Sequence, residues 1–372
     1  MSSAQIRFFT CFLADWIQIC PILDEVFRAT FTSLPCPESY VSLISRESES
    51  ALEGGVLAEV LEPGVFKGVA TTTINKLIKA GFTTVESIAV TPPRELADVA
   101  GMGADTALKV CRLARLQVDP GFIPALEVLE MRRSMIKCKT GSKELDRILG
   151  GGIETGAITE LIGEYGSGKT QICFTLSVTA QLPVEEGGFG SNVCAIDTEG
   201  TFMPERVMQI AEERGLDPTK ILEGILVARA YNSEHQQILI GSLAELVEKS
   251  NVKLVIVDSM IGHFRGEYIG RGTLSERQQK LGSCLSHLLR VAEAFNVAVV
   301  ITNQVMSTPD VVYGDPNKPT GGHVMAHACT HRVYLRKGKQ NTRLARVIDS
   351  PSLPEERIRF AITAAGVEDS EE

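Results

Sequence analysis

Gly163-Glu164-Tyr165-Gly166-Ser167-Gly168-Lys169-Thr170 satisfies the G-x-x-x-x-G-K-[ST] pattern without a gap, between an apolar run at 157–162 and a helix-like run at 171–180. The pattern constrains the fold tightly, because it requires a strand, a glycine-rich turn and a helix in that order. The glycines let the backbone turn its N–H groups toward phosphate oxygens, and the following helix presents the positive end of its dipole to them. Lys169 would then reach the β- and γ-phosphates, Thr170 would hold Mg²⁺, and Gln171 follows them into the helix. The competing reading is a glycine-rich strand-to-helix turn that carries a lysine. The coincidence of strand, spacing and helix favours a site for ATP or GTP.

Strands and helices alternate from about 139 to 372. Apolar runs at 158–162, 193–196, 225–228, 254–257, 298–302 and 332–336 are the strand candidates, and Leu281, Cys284, Leu285, Leu288 and Ala292 repeat at helical period. Their nearly continuous apolar character predicts a parallel sheet covered on both faces, with the phosphate loop at the carboxyl end of a strand. Three strand ends carry polar chemistry. Asp258 closes the 254–257 run, where a carboxylate can hold Mg²⁺ beside Thr170 or simply cap the next turn. Glu199 follows Asp197 at the end of the 193–196 run, where it can polarise an attacking water, while Asp197 is read as structural. Asn303-Gln304 ends the 298–302 run, and the Gln304 amide can sense a γ-phosphate.

The N-terminal half has another texture. Residues 51–116 are short helical stretches broken at Pro63-Gly64, Ala80-Gly81, Pro92-Pro93 and Gly101-Met102-Gly103. Two short helices flank Gly101 and Gly103, which resembles a helix-hairpin-helix module gripping a DNA phosphate; Lys109, Arg112 and Arg115 follow at helical spacing. A plain helical hairpin with a solvated basic face is the other reading. Residues 117–127 carry two prolines and a glycine and read as a linker, in which Phe122 has no local core to enter. The net charge of −9 excludes a general attraction to nucleic acid, so any DNA contact must come from local basic clusters. Nine cysteines without a C-x-x-C pair read as reduced, mostly core thiols. No stretch is long and uncharged enough to span a membrane, since Asp15 interrupts the apolar run at 8–23. A signal peptide competes for that run but lacks a clear cleavage site.

Taken together, Gly163 to Gln171 in the phosphate loop, Asp-Thr-Glu-Gly-Thr-Phe at 197–202, Gly-Arg-Gly at 270–272, Arg-Gln-Gln-Lys-Leu at 277–281, Ile-Thr-Asn-Gln-Val at 301–305 and Tyr-Leu-Arg-Lys-Gly-Lys at 334–339 resemble the RecA/RadA recombinases, nearest to the archaeal RadA and eukaryotic branch. The resemblance runs collinearly over about 55–370. It implies an α/β fold: a RecA-like phosphate-loop ATPase core at 139–372 with a small all-α helix-hairpin-helix N-terminal domain at 51–116, joined by a linker at 117–138. Residues 1–50 are an unassigned extension.

The resemblance also implies roles. Lys169, Glu199 and Gln304 would serve catalysis, Thr170 and Asp258 would hold Mg²⁺, and Arg206 would stack on adenine. Met203 departs from the arginine the family often has there. The family works as a filament with ATP between protomers, so His327, Asp349 and Pro354 would complete a neighbour's site, and Phe122 and Ala125 match its Phe-x-x-Ala polymerisation motif. DNA would meet a first loop at 262–273 with Arg265, Tyr268 and Arg271, then Arg277 and Lys280, and a second loop at 305–322 with Lys318; Arg336 and Lys337 resemble a secondary duplex site. The implied function is an ATP-dependent strand-exchange recombinase and DNA-dependent ATPase, acting with recombination mediators. It would be cytoplasmic and nucleoid-associated in a prokaryote, nuclear in a eukaryote. An ATP-binding accessory protein without strand exchange and a hexameric helicase are the alternatives.

Overall fold

The computed structural model describes residues 60–118, 122–270, 272–307 and 317–370, so the extension at 1–50, Arg271 and the middle of the second loop lie outside the described residues. Four helices open the described chain: α1 (Thr71–Lys79), α2 (Val85–Val90), α3 (Pro93–Val99) and α4 (Ala104–Val118). The Thr84 hydroxyl accepts the Ser87 N–H and so starts α2, and Pro93 starts α3 where a missing N–H costs nothing. Ala107, Val110, Cys111 and Ala114 form the buried stripe of α4 at i, i+3, i+4 and i+7, packed with Ile74, Leu77, Ile88 and Leu96. Two of the basic residues expected on a solvated face donate to nearby backbone carbonyls while remaining exposed. Arg115 donates to the Ala89 and Thr91 carbonyls at 3.0 and 3.5 Å, and Lys109 donates to the Gly68 carbonyl at 2.6 Å.

After α5 (Ala125–Arg133), a small ladder of β1 (Lys137–Cys138) and β2 (Ile153–Glu154) brackets α6 (Lys143–Ile148). The main sheet then builds from β3 (Ile158–Gly163), β4 (Asn192–Asp197), β5 (Ile225–Arg229), β6 (Val252–Asp258), β7 (Ala298–Asn303), β10 (His331–Lys337), β11 (Thr342–Asp349), β12 (Arg357–Thr363) and β13 (Gly366–Asp369). The short β8 (Val305–Ser307) and β9 (Asn317–Pro319) pair with each other. The nine strands run in the order β13-β12-β11-β10-β3-β7-β6-β4-β5.

All the expected strands fall in the parallel part, β10 through β5. The all-parallel expectation needs correction, however, because β11, β12 and β13 add to one edge in antiparallel pairs, making the sheet mixed. Alternate residues of the parallel strands feed two cores, one per face. Leu161, Leu254, Ile256 and Val300 pack with α7 (Lys169–Thr179), whereas Val255, Val257, Val299 and Ile301 pack with α13 (Leu274–Phe295). The remaining helices are α8 (Pro204–Glu213), α9 (Pro218–Glu223), α10 (Ser233–Gly241), α11 (Leu243–Ser250), α12 (Gly262–Glu267) and α14 (Gly322–Ala328). The described cysteines are buried and unpaired, and burial pushes the Cys138, Cys194 and Cys284 thiols up to about 12. Among the described residues no helix is long and apolar enough to cross a membrane.

Candidate functional site

Parallel register brings the carboxyl ends of β3, β7, β6 and β4 side by side: Ile162 faces Asn303, Val257 faces Ile301, and Asp197 faces Asp258. Loops leaving these ends enclose a cleft of about 790 Å³, lined by Gly163, Glu164, Tyr165, Gly166, Gly168, Lys169, Thr170, Gln171, Glu199, Asp258 and Gln304 among others. Gly168 precedes α7 at φ +105°, a left-handed backbone that strains any residue with a Cβ, although a Cβ there would meet only the movable tip of Ile362. Ser167, also called from the loop pattern, is buried beneath it.

Lys169 Nζ donates to the Gly163 and Glu164 carbonyls, both at 2.9 Å. Burial lowers its pKa, opposed by the nearby carboxylates of Asp258 and Glu199. A half-buried cation whose hydrogen bonds go to loop carbonyls suits an anionic ligand. The Thr170 hydroxyl donates to Asp258 Oδ2 at 2.7 Å, and Thr302 donates to Oδ1 at 2.5 Å. Burial raises the Asp258 pKa, the two hydroxyl donors and Lys169 hold it down, and Glu199 adds to the rise. Thr170 and Asp258 therefore present adjacent hard oxygen atoms, the donor set Mg²⁺ prefers.

Asp197 builds the turn that carries Glu199. Its Oδ1 accepts the N–H groups of Glu199, Gly200 and Thr201 at 3.0, 2.7 and 3.2 Å, its Oδ2 accepts that of Phe202 at 3.2 Å, and Arg229 pairs with it at 3.1 Å. Glu199 is thereby held at the cleft wall. Its Oε1 accepts the Ser259 hydroxyl at 2.7 Å and the Gln304 amide nitrogen at 2.8 Å. Gln304 Oε1 in turn accepts Arg265 Nη1 at 3.2 Å.

The structure separates the other sequence-predicted residues. Arg206, on α8, donates to Gln171 Oε1 at 2.9 Å and to the Thr363 and Ala364 carbonyls at 2.5 and 2.8 Å, which ties it beside the loop's helix without its lining the cleft. His327 and Pro354 are exposed and line no part of the cleft. His327 stacks on His323 along α14, ring centroids 5.8 Å apart.

The first loop begins as the helix α12, which corrects its reading as an open loop. Tyr268 stacks on Phe264 and accepts Lys280 Nζ at 2.7 Å, so its phenol is already engaged. The second loop is likewise partly ordered, because Val305 faces Pro319 and Met306 faces Lys318. Arg277 lies on α13 with a buried Nε, and Arg336 and Lys337 are exposed at the end of β10. Gly101 adopts φ +57° in the α3–α4 turn; Gly103 is exposed beside it. Phe122 is fully exposed, and α5, which starts at Ala125, buries none of its residues.

Sequence reasoning missed Arg343, Ile362, Thr201 and Val305, all of which line the cleft. Arg343 and Ile362 arrive on β11 and β12, the antiparallel strands that were not expected. The strand alternation in 342–349 and 357–363 was the available signal.

The profile of the Rad51 family matches residues 131–370. Over 312 residues the chain is 47% identical to the "DNA repair and recombination protein RadA" of Cenarchaeum symbiosum (strain A), an alignment covering 82% of this chain and 78% of that relative.

Proposed function

Because the chain belongs to the Rad51 family of RecA-type recombinases, we propose that it pairs and exchanges homologous DNA strands in recombinational repair, driven by DNA-dependent ATP hydrolysis. The observation that carries this reading is the convergence of Lys169, Thr170, Asp258, Glu199 and Gln304 on one cleft. In the proposed mechanism the loop N–H groups and Lys169 receive the phosphates of ATP, Lys169 exchanging its carbonyl partners for phosphate oxygens. Thr170 and Asp258 would hold Mg²⁺, whose charge offsets that on the phosphate oxygens. Glu199 accepts the proton of the attacking water, and Gln304 turns toward the γ-phosphate when one is present. Gln304 begins β8's side of the second loop, since its carbonyl accepts the Thr320 N–H at 2.9 Å. A movement there reaches both ends of that loop.

DNA contact is assigned to Arg265, Arg277, Arg336 and Lys337, with Arg271 outside the described residues and Tyr268 acting through Lys280. The helices at 71–118 are proposed as a helix-hairpin-helix DNA-binding domain through Gly101 and Gly103. Arg206 is proposed at the adenine, and His327 and Pro354 at the nucleotide of a neighbouring protomer in a filament. A cytoplasmic, nucleoid-associated location and loading by recombination mediators complete the proposal.

A joint-molecule assay with circular single strands and homologous linear duplex tests it directly. Wild-type protein should form joint molecules only with ATP, and Lys169→Ala should reduce them to background. ATP hydrolysis on DNA without any joint molecules would overturn strand exchange.

A further inference from the structure

We infer that Arg265 is a latch on the hydrolytic site: through Gln304 it keeps Glu199 engaged until a phosphodiester draws its guanidinium away. The inference rests on the reading of Glu199 as the group that accepts the water's proton. Three side chains of α12 pin the helix and leave Arg265 free to face the strand ends. Phe264 is fully buried in the core, His263 Nε2 lies 2.9 Å from the Ala230 carbonyl, and the Glu267 carboxylate accepts the Ser233 N–H at 2.7 Å and its hydroxyl. Arg265 is itself exposed, and its nitrogen reaches Gln304 Oε1 at 3.2 Å. That is long for a charged donor, so the contact can be exchanged.

The chemistry of the amide makes this contact directional. A guanidinium only donates, so Gln304 must turn its oxygen to Arg265 and its nitrogen to Glu199. The same Glu199 oxygen also accepts the Ser259 hydroxyl. With Gln304 held, that oxygen has two donors already in place and the amide is unavailable to a phosphate. Release of Arg265 frees the amide to rotate, which unloads Glu199 and lets Gln304 meet the γ-phosphate in one movement.

A second opening beside the cleft, about 500 Å³, is lined by Thr198, Glu199, His263, Arg265, Gly266 and Gln304. It shares Glu199 and Gln304 with the nucleotide cleft. A DNA backbone phosphate entering this opening competes for the Arg265 guanidinium where the nucleotide site begins. Arg265 is thus a positioning residue, and its exchange of partners couples DNA to hydrolysis.

The test compares wild type with Arg265→Met and Arg265→Lys. Readouts are ATP hydrolysis with and without single-stranded DNA, DNA affinity by fluorescence anisotropy, and melting temperature. Arg265→Met should raise DNA-free hydrolysis about fivefold, the scale of one ordinary hydrogen bond, and lower the stimulation by DNA accordingly. Arg265→Lys, which still donates to Gln304, should raise the DNA-free rate less than Arg265→Met does. An unchanged DNA-free rate in Arg265→Met with weaker DNA binding would make Arg265 a plain DNA contact and overturn the latch. A lower DNA-free rate together with a lower melting temperature would make it structural, with the same consequence. Absence of DNA-stimulated hydrolysis in the wild type would instead overturn the underlying assignment of the site.

Discussion

Glu199 is the residue proposed to accept the proton of the attacking water, and its environment distinguishes it from the carboxylates around it. Asp197 is saturated by backbone N–H groups and Arg229, and Asp258 is held by two hydroxyls. Glu199 alone of the three is exposed at the cleft with side-chain donors that can leave. Glu199→Gln keeps the shape and loses the proton acceptor, so hydrolysis should fall by roughly 10²–10⁴-fold while ATP-dependent DNA binding persists. Single-turnover hydrolysis beside filter binding checks this. Wild-type hydrolysis in the variant would remove Glu199 from its role. The position of Glu199 was legible because a strand-end carboxylate next to a phosphate loop is a local pattern. Its hydrogen bond to Gln304, and that of Gln304 to Arg265, join residues 105 and 39 positions apart and are set by strand order, which no local pattern carries.

Elements differ in the same way. The parallel strands could be read from the sequence because both faces are covered, which makes each an unbroken apolar run. Strand β11 alternates instead, with Ala345 and Val347 buried between more exposed neighbours, β12 alternates over 357–360, and β13 is short, so none of them is an unbroken apolar run. Arg343 was lost with them. Between the sheet and the N-terminal linker, Glu154 on β2 accepts Arg132 of α5 at 2.9 Å and lies 3.4 Å from Lys137 and 3.9 Å from His331. His331 first, then Arg132 and Lys137 against the opposing effect of burial, hold its pKa down to about 2 from 4.5. At 3.9 Å the His331 ring is beyond hydrogen-bond reach, so the charges of Arg132 and Lys137 carry much of the effect. A depressed carboxylate stabilises the fold above its unfolded pKa, and this contribution disappears as pH falls through about 4.5 toward 2. Glu154→Gln should therefore cost about 1–2 kcal/mol near neutrality, after discounting for solvent screening, and nothing near the acid limit. Thermal melts across pH check it: the gap between the two proteins should close on acidification. Parallel curves would mean that the ion pairs do not govern the acid limb.

At the scale of the whole molecule, what stands out is an apolar surface that the protomer does not cover. Phe122 is fully exposed, and Leu126, Leu129 and Met131 of α5 are exposed beyond it. The described chain offers α5 one ion pair to the core, Arg132 to Glu154, and no buried side chain. Exposed apolar side chains gathered in one short segment are consistent with an interaction surface. The nucleotide cleft gives the complementary indication, because the residues proposed to cap a nucleotide, His327 and Pro354, lie outside the cleft of their own protomer. In the proposed assembly the linker aromatic and the capping residues would meet different neighbours, a head-to-tail contact that extends into a filament when its rotation does not close. Phe122→Glu would place a charge where an aromatic anchor must be desolvated, a loss of at least about 2 kcal/mol per contact, or roughly thirtyfold in affinity. Size-exclusion chromatography with light scattering should show the assembly shift toward monomer. DNA-stimulated hydrolysis should fall with it, and ATP binding at high protein concentration should survive, because the Lys169 side of the site remains whole. If hydrolysis held while the assembly dissociated, each protomer would complete its own site, and the capping roles of His327 and Pro354 would fall.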